Sequence, residues 1–105
     1  MYILLNNKKI KIKDCIKYKD RLLGLMFKKN INEGLLFKKC NSIHTFFMFE
    51  NIDVIGLDNN DIVVGYKKNL KPYKFLMVKG AKKIIELPCN SINEDILNKE
   101  IKFKN

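Results

Sequence analysis

Residues 40–58 read CNSIHTFFMFENIDVIGLD, and the rest of the chain is read outward from this stretch. It holds the single histidine, His44, beside Phe46, Phe47 and Phe49, and passes into an apolar run that carries Asp53 and ends at Asp58. If 43–49 is extended, His44, Phe46 and Met48 share one face and Ile43, Thr45, Phe47 and Phe49 the other, because side chains alternate along a strand. One face can line a core, whereas the other needs a second layer or lines a ligand pocket. Residues 51–53 are expected to turn the chain into a second strand over 54–57. Asp58, Asn59, Asn60 and Asp61 form the clearest turn signal, and 62–64 resume a strand. A meander over 43–66 follows.

On the N-terminal side, residues 2–5 are expected to pair with 9–13 across Asn6 and Asn7, since Ile10 and Ile12 alternate with Lys9, Lys11 and Lys13. Residues 18–27, YKDRLLGLMF, change to helical spacing, with Leu22, Leu25 and Met26 on one side, so a short amphipathic helix is expected there. Gly34 closes a connection over 28–33, and 35–37 form a short buried strand. Beyond the meander, 67–73 with Pro72 read as a loop and 75–78 as a strand. Residues 81–87 make a stronger strand that Pro88 ends. Ser91 and Glu94 match a capping pattern for a brief helix over 92–97, and 100–104 alternate again as a final strand with Ile101 and Phe103 inward. The expectation is a mostly β, small barrel-like or sandwich-like domain of about seven strands with one or two short helices.

A chain of 105 residues suits one soluble domain, 1–105. The formal charge of +10 comes from 21 basic and 11 acidic residues, and Arg21 is the single arginine among them. Lysine gives a salt-sensitive, nonspecific attraction to polyanions. Base reading and phosphate clamping favour the guanidinium fork, so a specific nucleic-acid partner is not expected. No apolar run reaches the ~18 residues of a membrane span, and the lysines soon after MYILL argue against an export signal. Cys15, Cys40 and Cys89 lie far apart with no CxxC pair, which suits thiols in the cytoplasm.

Cys40, His44 and Asp53 admit a nucleophile, base and orienting carboxylate, as in a small thiol-dependent or hydrolytic enzyme. His44 with Asp53, Asp58, Cys40 or Glu86 could complete a metal shell, although no compact zinc spacing is present. A buried, hydrogen-bonded histidine in an aromatic core is the plainer expectation. Phe46, Phe47, Phe49, Tyr73 and Phe75 could stack on bases, but are expected as core. Met26 and Met48 are likewise expected as core filling. Residues 58–61 lack a calcium-loop ligand series and read as a hairpin turn. Asp53, between Ile52 and Val54, must have partners if it enters the interior, and Arg21 is one candidate. No glycine-rich phosphate loop is present, and the residues leave any cofactor unknown.

The ordered set of short elements resembles the DUF192/UPF0127 family of small prokaryotic domains. Arg21, Gly24, Leu25 and Met26 match its R-x-x-G-L-M element, Gly34 to Phe37 its glycine and apolar strand, and Cys40 with SIHTFFM at 42–48 its central block. Ile52, Asp53, Leu57 and Asp58 continue the match, as do Asn69 to Pro72 and Glu86 to Pro88. Phe49 departs from an often basic position, and Glu50 and Asn51 replace an apolar residue and a proline. Cys89 and Asn90 replace a small residue and glycine, and 98–100 shorten the C-terminal turn. The resemblance implies a barrel- or sandwich-like β domain without an established activity. It also implies that Arg21, His44, Met48, Asp53 and Asp58 form one surface or pocket near Cys40. There Arg21 would meet an anionic ligand or Asp53, and the aromatics would form an apolar wall. The expected function is binding of a small molecule or protein partner in a cleft near 40–58. A structural or accessory role without a ligand site is the remaining alternative.

Overall fold

The computed structural model describes residues 1–17, 24–26 and 28–105. The N-terminal hairpin forms as the alternation predicts: β1 (Tyr2–Leu5) pairs antiparallel with β2 (Lys8–Asp14), Leu5 opposite Lys8. Asn6 and Asn7 take φ of 50° and 62°, as a two-residue turn needs if its twist is to match the flanking strands. Ile10 and Ile12 are buried, and Lys9, Lys11 and Lys13 stay in solvent.

β3 (Gly34–Lys38), β4 (Ser42–His44), β5 (Ile52–Leu57), β6 (Val63–Leu70), β7 (Phe75–Met77) and β8 (Lys83–Pro88) follow. Six strands form one sheet in the order β1-β2-β3-β8-β5-β6, antiparallel except for the parallel pair β2 and β3, while β4 and β7 make a separate antiparallel ribbon. The central strands are buried on both faces, β5 along its whole length. Hence Ile52–Leu57 is apolar on both faces apart from Asp53, where a one-sided strand would alternate.

On one face, Ile10, Ile12, Leu36, Ile55, Leu57, Ile85 and Leu87 join Ile3, Leu5 and the tail residues Ile92, Ile96 and Ile101 in one core. On the other, Leu35, Phe37, Ile52, Val54 and Ile84 pack with Leu25, Met48, Val78 and Ala81. Gly56 lets this second layer approach closely, because a Cβ there would lie 2.5 Å from Val78 Cγ1. The tail crosses from one sheet edge to the other: Val63 N donates to Lys99 O at 2.9 Å, and Tyr2 N donates to Lys104 O at 2.8 Å. The result is a curled, half-barrel sheet with a ribbon over its outer face.

The expectation of one or two helices is corrected: no helix occurs among the described residues. The helix expected over 18–27 falls mainly on 18–23 and 27, which lie outside the described residues, and 24–26 form a turn. Over 92–97 the helix is replaced by an irregular segment. Ser91 Oγ donates to Pro88 O instead of capping, and Ile92 N donates to Asp53 Oδ2 at 2.9 Å. The Ser91 hydroxyl is directed back to a local carbonyl, and the first N–H of the expected helix is held by a carboxylate 39 residues away.

Other boundaries move for local reasons. Asp53, expected in a turn, lies inside β5, and the loop expected over 67–73 is strand as far as Leu70. Between them sits a bulge: Ile52 faces Leu70 and Val54 faces Lys67, so β6 carries one extra residue. Asn69, at φ 54°, occupies it, and its N–H donates to Asp53 Oδ1 at 3.0 Å. The final strand is reduced to isolated bridges at Glu100 and Lys104, with Ile101 buried.

Asp53 thus secures both the bulge of β6 and the start of the tail from a fully buried position. An asparagine amide in its place offers one acceptor oxygen and would face the second N–H with a donor. Asp53→Asn is expected to destabilise the fold by about 2–4 kcal/mol, measured as a lowered urea midpoint, whereas a change under about 1 kcal/mol would show that the two bonds matter little.

Candidate functional site

Glu86 lies at the middle of β8, opposite Leu35 of β3 and Val54 of β5, on the same sheet face as Ile84. It is only 4% exposed, and its Oε1 has no hydrogen-bond partner among the described residues. Burial pushes its carboxyl up from 4.5 to about 8, because an apolar surrounding penalises the charged form. The carboxyl lines a cavity of about 130 Å³, walled by Gly24, Leu25, Met26, Phe37, Cys40, Ser42, Ile43, His44 and Met48. Gly24, at φ 52°, brings the chain so close that an added Cβ would lie 3.4 Å from Glu86 Oε1.

The far wall is β4, which Thr45 holds in place. Thr45 is fully buried; its Oγ1 donates to Lys71 O at 2.7 Å and accepts from Lys74 N at 2.8 Å. Its main-chain N–H donates to Lys74 O, and its carbonyl accepts from Tyr73 N. The 71–74 loop is thereby fastened to the central stretch beside the β4–β7 pairing of His44 with Phe75.

The extended stretch expected over 43–49 ends at His44, because Phe47 takes φ 62° in a turn. Thr45 and Met48 point inward, while Phe46, Phe47, Phe49, Tyr73 and Phe75 are between 43% and 65% exposed. The core role expected of these five rings is corrected: the aliphatic side chains of the central strands fill the interior. Met48 is buried, as core filling requires.

His44 is exposed at the cavity mouth and not sealed in an aromatic core. Its Nδ1 accepts from Phe46 N at 3.2 Å, and its ring stacks on Phe46 with centroids 5.1 Å apart. In a neutral ring that bond leaves Nε2 carrying the proton. Phe46 continues to Tyr73 at 6.3 Å, so the histidine joins the cavity to an outer aromatic ridge.

The residues singled out in the sequence therefore fall into two groups. Cys40, His44 and Met48 meet at the cavity. Asp53 belongs to the opposite face with both oxygens accepting main-chain N–H groups, and Asp58 Oδ1 organises the hairpin turn by accepting from Asn60 N and Ile62 N. Cys40 Sγ donates to Ser42 O at 3.1 Å. No hydrogen bond among the described residues links Cys40, His44 and Asp53, and no cluster of three or more metal-ligating side chains occurs among them. Arg21 lies outside the described residues.

Glu86 and Thr45 carry more of the site than their sequence contexts suggest. The signal for Glu86 is a carboxylate inside the apolar run of 84–87, in step with Ile84. Thr45 offers no such signal, since its partners lie 26 and 29 residues away. Glu50, a departure from the family pattern, accepts from Asn30 N and Ile31 N and so fixes the loop before β3. A wider depression of about 670 Å³ lies on the other side of Cys40 and Ser42, with Lys38, Lys39, Lys82 and Lys83 on its walls. Two of these lysines are already paired, Lys38 with Asp14 at 3.1 Å and Lys83 with Asp61 at 2.7 Å.

The DUF192 family profile, described as an uncharacterised ACR, matches residues 3–102. The chain belongs to the DUF192/UPF0127 family. A UPF0127 protein of Thermococcus sibiricus is 46% identical over 88 residues, covering 77% of this chain and 55% of that protein. One from Pyrococcus horikoshii is 48% identical over 75 residues, covering 65% and 64%. This family domain spans roughly half to two thirds of the curated relatives it matches. Its fold is shared with a proposed transcription regulator from Sinorhizobium meliloti, at TM-score 0.78 and 10% identity over 96% of this chain and 89% of that one. A protein of unknown function from Novosphingobium aromaticivorans aligns at TM-score 0.69 and 16% identity, over 85% and 71%. At such identities the likeness concerns the fold alone.

The Glu86 carboxyl gives the family domain a pH dependence of defined sign. The folded chain keeps this proton up to about 8, whereas an unfolded glutamate releases it near 4.5. Between those values the folded state binds more protons, so stability falls as pH rises. The contribution is fully present below 4.5 and lost above about 8. Relative to Glu86→Gln, the unaltered chain is expected to lose on the order of 3–5 kcal/mol across that window, read from urea unfolding at a series of pH values. Parallel curves for the two chains would place the carboxyl in a wetter setting than its burial indicates.

Proposed function

We propose that this DUF192/UPF0127 domain binds a small molecule, with the Glu86 cavity as the site and the His44 ridge as its rim. One observation carries the reading: a buried carboxyl oxygen, without a partner among the described residues, faces a cavity walled mainly by apolar groups. An unsatisfied buried polar group costs about 1–3 kcal/mol, and a ligand that hydrogen-bonds to the carboxyl recovers it. A few convergent polar groups in an apolar concavity are the usual make-up of a ligand site. Cys40, His44 and Met48 take part as wall and mouth. Asp53 and Asp58 support it only through the strands and turn that they hold.

The enzymatic alternative has less behind it. Asp53 is committed to Asn69 and Ile92, and the Nδ1 that an orienting carboxylate would address already accepts from Phe46 N–H. A fragment screen followed by amide chemical shifts tests the binding reading. Shifts are expected to concentrate at Leu25, Ile43 and His44. Hits confined to the lysine-walled depression, or none, would count against the cavity.

A further inference from the structure

The other acidic side chains with described contacts each have a partner. Asp53 and Asp58 accept main-chain N–H groups, Glu50 does the same, and Asp14 and Asp61 meet lysines. Glu86 stands apart as a nearly inaccessible carboxyl with an oxygen left bare by the described residues, held between Leu35 and Val54 at the floor of a cavity. Resting on the small-molecule reading, we propose that the cavity takes a primary ammonium head group, with Glu86 as its counter-ion and the ligand's apolar or aromatic body lying over His44 and Phe46.

Four observations converge on that class. First, the bare group is a carboxyl that offers only acceptors once its proton has left, and an ammonium brings three donors and no acceptor. Second, neither lysine nor arginine lines the cavity among the described residues, so an anionic head would meet no positive side chain of theirs. Third, Phe37 is part of the wall and Phe46 stacks on His44 beside the mouth, and aromatic rings attract cations. Fourth, about 130 Å³ is well below the roughly 300–1,000 Å³ of pockets that enclose drug-sized ligands. A head group fits and a drug-sized molecule does not, which leaves the remainder on the ridge from His44 through Phe46 to Tyr73.

Among the described residues, the titratable groups facing Glu86 across the cavity are Cys40 and His44. His44 accepts a hydrogen bond at Nδ1 from Phe46 N, so that nitrogen is engaged by the main chain. Burial keeps the Glu86 proton in place up to about 8 in the empty cavity. An arriving ammonium favours the carboxylate, so binding must expel that proton, and affinity must rise with pH through neutrality.

Benzylamine, benzyl alcohol and benzoate share one ring and differ in the head, so titrating the intact chain with each separates the possibilities. Benzylamine is expected to bind about tenfold or more tighter than the alcohol, with amide shifts at Leu25, Ile43 and His44, and benzoate to leave those amides unmoved. Calorimetric heats for benzylamine are expected to change with the ionisation enthalpy of the buffer, reporting proton release. Glu86→Gln is expected to erase both the amine preference and the proton release while retaining weak binding of the alcohol. Proton release is read on the unaltered chain, so the test stands even if the variant does not fold. Equal or tighter binding of the alcohol or benzoate at the cavity would overturn the ammonium assignment and leave the small-molecule reading intact. Silence of those amides with all three probes would overturn both.

Discussion

Burial of β3, β8 and β5 on both faces is the constraint from which the rest of this structure follows. A strand with one wet face can place a charge every second residue, whereas these three strands cannot. Their sequences are accordingly apolar almost throughout, and each layer that covers them is recruited from elsewhere: the N-terminal hairpin and tail on one side, the 24–26 turn and the β4–β7 ribbon on the other. The parallel pairing of β2 with β3 brings the hairpin into the same sheet, and its curl encloses Ile3, Leu5, Ile10 and Ile12 with the tail isoleucines.

Two carboxyls enter that apolar sheet, and the fold treats them in opposite ways. Asp53 is enclosed by main-chain donors from a bulge and from the tail, so its two oxygens organise irregular segments that no regular pairing would hold. Glu86 receives no such enclosure from the described residues, and burial is what acts on it. A fully satisfied buried group specifies structure, while a partly satisfied one leaves interaction energy to be recovered. The first is therefore read as architecture and the second as a place for chemistry. Their separation onto opposite faces of β5 and β8 means that one can be altered without touching the other.

The aromatic rings lie outside both cores. A positive φ at Phe47 turns the chain so that Thr45 and Met48 point in and the neighbouring phenylalanines point out. Thr45 then fastens the 71–74 loop beneath them, and Tyr73 and Phe75 complete a ridge continuous with the cavity mouth through the His44–Phe46 stack. Binding machinery is commonly carried on loops held by a rigid scaffold, and here one buried threonine hydroxyl ties the loop to that scaffold.

Strand content, the Asn6–Asn7 hairpin, the 58–61 turn, the buried strand at 35–37 and membership of the family were all legible in the chain before it folded. Each is written in local spacing: alternation in 9–13, an unbroken apolar run in 35–37, turn residues between strands, short motifs in a fixed order. Cys40, His44 and Met48 are neighbours on one short stretch, and they line one cavity. Folding alone set Asp53 and Asp58 apart from them, turned the aromatics to solvent and left 92–97 without a helix. Those outcomes depend on which distant group claims a given N–H or carbonyl. Asp53 takes the Ile92 N–H across 39 residues, and Thr45 takes Lys71 and Lys74 across 26 and 29. The same holds for Glu86: its place among isoleucines was legible, but its want of a partner among the described residues is a property of the space around it, and periodicity cannot express that.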